Sequence, residues 1–322
     1  MCYKRLPLGV LFLVCPVWGA LPLPPPEVLQ PKVVSLGEDV CVPSLPWRWV
    51  TWNLQWFPGN RPAASETAHE NHIRAVGRIL QKIGPQVVVL QEVLDPVALR
   101  EATPKYAWRV LTDFPRAADE DEKLPPQNIA LVSQWPWKEI WEIDFHGLPL
   151  TPDRPVRGFL GSRFQDDLGR SITVYGVHLK SNRGGKDASA ARREKAMDYL
   201  RWDWRRRGLD PARDQILVVG DFNCSTRNPE FNEKTVRDLL KEGWSVADAC
   251  IGWPEGATVK ADSQGRYPAV DFDHFLLSPG LVGTWQGRGW QIKIDSTGEV
   301  PSDHYPVNLV FPPWKSVGVP FR

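Results

Sequence analysis

The sequence predicts an α+β protein built from packed sheets, on three observations. Short β-prone runs recur along most of the chain, bounded by Gly, Pro, Asp and Asn. Only a few stretches carry the 3.6-residue apolar period of an amphipathic helix. Helical and strand patterns do not alternate strictly, which argues against a doubly wound parallel sheet.

Taken in order, Trp47 to Asn53 reads as the first strand. Thr67 and Glu70 have capping-box spacing and open a helix whose Ile73, Val76, Leu80 and Ile83 share one face. Gly84-Pro85 stops it. Gln86 to Gln91 is a second buried strand ending in Glu92, and Asp95 to Ala102 a short helix. The acidic, Pro-containing stretch Asp119 to Pro126 is a loop. Asn128 to Ser133 and Trp137 to Asp144 are expected as paired strands. Val156 to Gln165 and Arg170 to Leu179 form a hairpin that turns at Asp166 to Gly169. Asp187 to Arg207 is a helix with Ala196, Leu200 and Trp204 on one side. Ile216 to Val219 is a short buried strand, and Gly220 after it lets the backbone turn or approach a neighbour closely. A helix near Glu233 to Lys241 and strands at Asp271 to Leu277 and His304 to Phe311 complete the chain.

The 322 residues, with 42% apolar and 24% charged, suit a soluble globular protein. No internal repeat or Gly/Ser linker divides residues 44–312. A net charge of +1 gives no global reason to expect nucleic acid or an anionic membrane. Locally the balance differs: Lys180 to Arg207 holds ten Lys/Arg against four Asp/Glu, an excess of +6 that could track a phosphate backbone or simply be a solvated helix face. At the N-terminus, Lys4 and Arg5 precede an apolar run from Leu6 to Trp18 and the small residues Gly19-Ala20. This is the pattern of a signal peptide over 1–20, and the run is short for a membrane span. A flexible or extended Pro-rich leader over 21–43 would follow, then one domain over 44–314. The expected location is secreted or periplasmic, with no stable membrane insertion after cleavage, as a monomer. Cys41, Cys224 and Cys250 would remain, an odd number that allows one disulfide at most, and without a CxxC pair a zinc or redox site is not expected.

The polar residues at the strand ends carry the chemistry. Asp221 and Asn223 leave the Ile216 strand two residues apart and so point the same way. Asn53, Glu92, His178 and the pair Asp303-His304 also end or begin strands, and Asp271 and Asp273 lie next to His274. Polar groups converging at the rim of a packed core make a site. Hard oxygen donors such as Glu92, Asp303 and Asn53 suit Mg²⁺ or Mn²⁺ rather than zinc. A His beside an acid can serve as general base or as an oriented charge.

Six short motifs occur in order: Trp52-Asn53, Gln91-Glu92, Gly176-Val177-His178-Leu179-Lys180-Ser181, Gly220-Asp221-Phe222-Asn223, Asp273-His274-Phe275 and Ser302-Asp303-His304. In this order the chain resembles the endonuclease/exonuclease/phosphatase family, which includes deoxyribonuclease I, abasic-site endonucleases, sphingomyelinases and inositol polyphosphate 5-phosphatases. Each motif is weak alone; six in order over residues 47–311 are strong. The resemblance implies a four-layered α/β sandwich, two mainly antiparallel sheets flanked by helices, with the site at one rim. It implies Glu92 as principal metal ligand, assisted by Asn53 and Asp303. Asp221 and Asn223 would position water and phosphate, and His178 would bind the phosphate or serve the leaving group. His304 would act as base or as partner of a phosphoryl oxygen, oriented by Asp273, with Asp271 a rival for that partnership. Arg154 and Arg157 reach the phosphate or are exposed charges. His69, His72, His146 and His274 are structural or exposed, Tyr175 is core, and Cys224 is a packed or disulfide-bonded thiol. The implied activity is a divalent-metal-dependent phosphodiesterase, a secreted nuclease acting on DNA or RNA. The alternatives are a sphingomyelinase or other phosphoesterase, or an inactive binding module of the same fold.

Overall fold

The chain enters as two short edge strands, β1 (Glu27–Leu29) on one sheet and β2 (Lys32–Ser35) on the other. This is a computed structural model that describes residues 23–38, 47–114, 126–167, 169–247, 256–263, 268–285, 291–294 and 300–311. The expected signal segment, Cys41, Cys250 and most of the Asp119 to Pro126 loop lie outside those residues. The 21–43 leader is corrected in part: residues 27–35 pair with both sheets, so the domain begins before residue 44. The sequence hides this because three- and four-residue strands are too short to show a period.

β3 (Trp47–Phe57), α1 (Glu66–Ile83) and β4 (Val87–Val93) form a crossover unit in which the two strands are parallel. The α1 cap is Ser65, whose hydroxyl accepts from the Ala68 N–H, two residues before the expected Thr67. Gly84 ends the helix with left-handed φ of 65° and donates to the Leu80 carbonyl. α2 (Pro96–Ala102) is capped by Asp95, and β5 (Trp108–Leu111) and β6 (Asn128–Ser133) complete the antiparallel side of this sheet. β7 (Glu139–Asp144) belongs to the other sheet, where it pairs with β1 and with β8 (Phe159–Gln165). The expected pairing of Asn128–Ser133 with Trp137–Asp144 is therefore wrong: the chain changes sheets between them.

β8 and β9 (Ser171–His178) form the expected hairpin. α3 (Lys186–Arg206) then carries the chain to β10 (Ile216–Asp221), parallel to β9. α4 (Lys234–Lys241), β11 (Ser245–Val246), β12 (Asp273–Leu277), α5 (Pro279–Trp285), β13 (Gln291–Ile294) and β14 (Val307–Phe311) follow. Among the described residues the sheets run β1-β7-β8-β9-β10-β12-β11 and β13-β14-β3-β4-β6-β5-β2. Each is antiparallel apart from its one parallel pair.

Side-chain alternation builds four layers. In β4, Val87 and Val89 enter the core between the sheets, while Val88 and Leu90 face the α1 side. In β10, Leu217 and Val219 enter the same inter-sheet core, while Ile216 and Val218 pack with Leu200 and Trp204 of α3. Fully burying one such side chain contributes about 1.5–3 kcal/mol, so the three contiguous cores dominate stability. The sheets approach closely at Gly176, where a Cβ would lie 2.9 Å from the Val89 side chain.

Candidate active site

The site is the polar end of the inter-sheet core. His178 continues the face of Ile172 and Val174 on β9, Asp221 that of Leu217 and Val219 on β10, and Asp273 that of Phe275 and Leu277 on β12. Asn53 continues the Trp49 face of β3. Both parallel pairs end at this rim, because β9 and β10 bring His178 beside Asp221 and β3 and β4 bring Asn53 beside Gln91. Regular alternation would turn Glu92 toward the helices. It instead has a left-handed φ of 61°, at a register break in β4, and its carboxylate meets the Asn53 amide.

The Asn53 amide ties the two sheets together. Its Nδ2 donates to Glu92 Oε1 at 3.2 Å and to Asp221 Oδ2 at 3.0 Å. Its Oδ1 accepts from the Gln55 N–H at 3.0 Å, and the Trp56 N–H donates to Glu92 Oε2 at 2.9 Å. Gln55 and Trp56 take φ near 53° and 52°, a strained turn that aims the Trp56 N–H at Glu92. The same turn lets the Gln55 side chain accept from the Asp303 N–H at 3.1 Å. Asp303 itself is exposed at the rim.

His178 Nε2 stands 3.6 Å from Asp221 Oδ2 and 3.8 Å from Glu92 Oε1. Asn223, with φ of 50°, donates its N–H to Asp221 Oδ1 at 2.8 Å and its Nδ2 to the Leu179 carbonyl at 3.1 Å. His304 Nδ1 meets Asp273 Oδ2 at 2.8 Å, and its Nε2 lies 3.9 Å from Asp221 Oδ2. Asp271 is engaged elsewhere, accepting from the Ser225 and Thr226 hydroxyls and the Thr226 N–H. His274 Nε2 meets the Cys224 carbonyl, and Cys224 is a buried thiol that burial pushes up beyond the physiological range.

Burial dominates the electrostatics. It raises the pKa of Glu92 against the opposing Arg157 charge, the Trp56 N–H and the Asn53 amide, while Asp303 pushes it further up. It raises that of Asp221 to about 7, partly offset by the His304 charge. His178 is held well below its ordinary value by burial first, then by the charges of Arg157, His304 and Lys180. For His304 burial also acts downward, but Asp273, by charge and hydrogen bond, with Asp221 and Asp303, raises the pKa to about 10. The two imidazoles are thus pushed in opposite directions, His178 toward its neutral form by burial and His304 toward its protonated form by Asp273.

Sequence reasoning named Arg154, Arg157 and Ser302 without fixing their contacts, and missed Thr258 and Lys260. Arg157 sits close enough to act electrostatically on both Glu92 and His178, whereas Arg154 is spent on the Phe145 and His146 carbonyls. Thr258 and Lys260 come from a stretch without any pattern: Lys260 Nζ donates to the Val300 and Ser302 carbonyls. Ser302 donates to the Asn53 carbonyl at 2.7 Å and accepts from the His304 N–H at 3.0 Å, pinning one motif to the other.

Two donor sets could hold a cation. Asp221, Asp273 and His304 offer ligand atoms within 4.8 Å of one another, though the Asp273–His304 bond already engages two of them. Asn53, Glu92 and Asp303 carry oxygen donors, although the Asn53 oxygen already accepts from the Gln55 N–H and Asp303 is tied to Glu92 only by charge. Such a set fits a hard divalent ion, and an ionised Glu92 buried against its own desolvation gains from one.

This rim of facing sheets gathers carboxylates and an acid-paired imidazole at one end of the core. The profile of the Endonuclease/Exonuclease/phosphatase family matches residues 50–304, and the chain belongs to that family. Family members are divalent-metal-dependent phosphoric ester hydrolases. Sphingomyelinase C from Streptomyces griseocarneus is similar in structure, at TM-score 0.55 and 19% identity over 82% of this chain and 99% of that one. Truncated Caenorhabditis elegans TDP2 matches at TM-score 0.55 and 17% identity, covering 83% of this chain and 97% of that one. The human Nocturnin catalytic domain matches at TM-score 0.57 and 15% identity, covering 85% and 95% respectively. At these identities the likeness is one of fold. Among curated proteins, none matches the sequence. No helix of the described residues is long and apolar enough to cross a membrane.

Proposed function

We propose that the chain is a secreted phosphodiesterase dependent on Mg²⁺ or Mn²⁺, a nuclease acting on DNA or RNA. The observation that carries this reading is the Asn53 amide shared by Glu92 and Asp221, which joins an oxygen-donor set on one sheet to the Asp221–His304–Asp273 group on the other. Glu92, Asn53 and Asp303 would hold the cation, which when bound draws charge from a non-bridging phosphoryl oxygen. Asp221, with both oxygens anchored by Asn53 and Asn223, would orient the attacking water and accept its proton. His304, bonded at Nδ1 to Asp273, which favours its protonated form, would face a phosphoryl oxygen through Nε2. Asn223 and the neutral His178 complete the phosphate cradle on the leaving-group side.

Nucleic acid is the favoured substrate because Arg183 and Lys186 are exposed in the segment that follows His178 in sequence. The rest of the basic stretch supports it less: Arg193 is buried against Glu233, Arg206 and Arg207 pair with Asp203, and Arg201 pairs with Glu242. A sphingomyelinase is the second reading, favoured by Leu150, 76% exposed on the β7–β8 loop at the same rim. The secreted location rests on the Lys4 to Ala20 segment. The test is hydrolysis of plasmid DNA, RNA, sphingomyelin vesicles and bis(p-nitrophenyl) phosphate with Mg²⁺, Mn²⁺ or EDTA. Metal-dependent cleavage of DNA or RNA supports the reading; cleavage of sphingomyelin alone selects the second; no hydrolysis of any substrate with either metal overturns both.

A further inference from the structure

We infer that Thr258 is a positioning residue that fixes the Asp273 carboxylate for His304, an inference resting on the phosphodiesterase reading above. Thr258 is fully buried and bonded to both sides of the acid–imidazole pair. Its hydroxyl oxygen accepts the N–H groups of Phe272 and Asp273, both at 3.0 Å. A hydroxyl has two acceptor lone pairs and one proton. With the lone pairs used, the one O–H goes to Asp273 Oδ2, at 2.7 Å. Its backbone carbonyl accepts the Tyr305 N–H at 2.7 Å, and Val259 next to it forms a β-bridge with His304.

The oxygen that Thr258 holds is the one that His304 Nδ1 meets at 2.8 Å. Asp273 Oδ1, also buried, has no hydrogen-bond partner among the described residues. The Thr258 hydroxyl therefore decides which oxygen the imidazole finds. Without it the carboxylate can rotate about its Cβ–Cγ bond and share two equivalent oxygens. His304 would then lose the single orientation that points its Nε2 at Asp221. A threonine that merely filled space would need no proton on that oxygen, so the inference separates from packing by chemistry.

The experiment compares Thr258→Val, which keeps shape and removes the hydroxyl, with Thr258→Ser, which keeps the hydroxyl. Turnover of bis(p-nitrophenyl) phosphate is read at saturating Mn²⁺. The His304 Nδ1–H resonance, identified by its loss in His304→Asn, is read by proton NMR on metal-free protein. Thr258→Val is expected to lower kcat by about tenfold or more with KM changed less than about threefold, and to shift or broaden the resonance. Thr258→Ser is expected to restore both to within about threefold of the unsubstituted protein. If Thr258→Val does not fold, Thr258→Cys replaces it, a residue close to Ser in size with a weaker donor. An unchanged kcat and resonance in the folded variant overturns the inference, as does equal loss in the Ser and Val variants with the resonance unmoved. If the unsubstituted protein hydrolyses no phosphodiester, the phosphodiesterase reading fails, and the resonance alone decides whether Thr258 positions His304.

Discussion

Glu92 and Asp303 are the two anionic donors on which the proposed metal site stands. Glu92→Ala and Asp303→Ala are each expected to lower metal-dependent turnover by about a hundredfold or more, since removing groups that only orient a ligand already costs roughly 10- to 100-fold. Circular dichroism should show an intact fold, and near-normal turnover at saturating Mg²⁺ in either variant would remove the assignment. The two aspartates at the start of β12 separate by partner. Asp273→Asn weakens the acid bonded to His304 and should lower kcat about tenfold or more. Asp271→Asn should leave kcat nearly unchanged and lower stability by about 1–3 kcal/mol, because three donors of the Ser225–Thr226 turn lose their charged acceptor. Denaturant melts with kinetics on both variants check this; a crippled Asp271→Asn with a normal Asp273→Asn would reverse the pairing.

At the scale of elements, two features of α1 and β10 matter beyond the site. Gly220 has φ of 143°, and a Cβ there would lie 2.0 Å from the Val177 carbonyl of the parallel neighbour. Gly220→Ala should therefore lose on the order of 3 kcal/mol or more, a loss seen only where backbone must move. Helix α1 carries a buried titratable group: His72 accepts the Gly59 N–H at Nδ1 and packs edge-on against Phe57. Burial, with the charge of His69, lowers its pKa to about 4. The folded state therefore prefers neutral His72; the stability it contributes is fully present above pH about 6.5 and is lost as pH falls toward 4, up to about 3 kcal/mol. Glu142 on β7 has the opposite sign. Its pKa is raised to about 7 by burial, against the Asp113 N–H, so its contribution is full below pH about 4.5 and lost as pH rises through 7. His72→Asn, which keeps an acceptor, should flatten the acid limb of stability against pH, and Glu142→Gln the limb from 4.5 to 7. Unchanged limbs would show that other groups set them.

At the scale of the whole molecule, the charge of +1 is spread so that most cations of residues 180–207 serve the fold. Arg183, in the loop between His178 and α3, and Lys186, the first residue of α3, are exposed, although Lys186 also donates to the Glu230 carbonyl and lies over Phe231. Replacing both by Ala should weaken nucleic-acid binding and reduce the slope of log K against log salt by about 1 for each phosphate no longer neutralised. Hydrolysis of bis(p-nitrophenyl) phosphate should stay within about twofold, since a small diester has no backbone to track. Equal losses on both substrates would place these residues in the chemistry or the fold instead.

Read from residues alone, the chain discloses what is local. The Ile216–Val219 run, the α1 face and the Gly84 stop are set by alternation, period and backbone freedom, and the structure keeps each. The six motifs already bring Asn53, Glu92, His178, Asp221, Asn223, Asp273, Asp303 and His304 forward, because polar residues at the ends of apolar runs stand out against their neighbours. What is non-local stays hidden. Strand partners depend on which sheet the chain enters, so Asn128–Ser133 and Trp137–Asp144 look like a hairpin and are not one. The edge strands at 27–35 are too short for any period, and both parallel pairs arise only when α1 and α3 pack back onto their sheets. The left-handed turn of Glu92, the Thr258 hydroxyl and the choice of Asp273 over Asp271 are fixed by hydrogen bonds between residues up to 46 positions apart. The bonds that join the sheets, Asn53 to Asp221 and His304 to Asp273, exist only once two sheets close on one core, and it is that closure, not any segment, that brings the scattered polar residues to one rim.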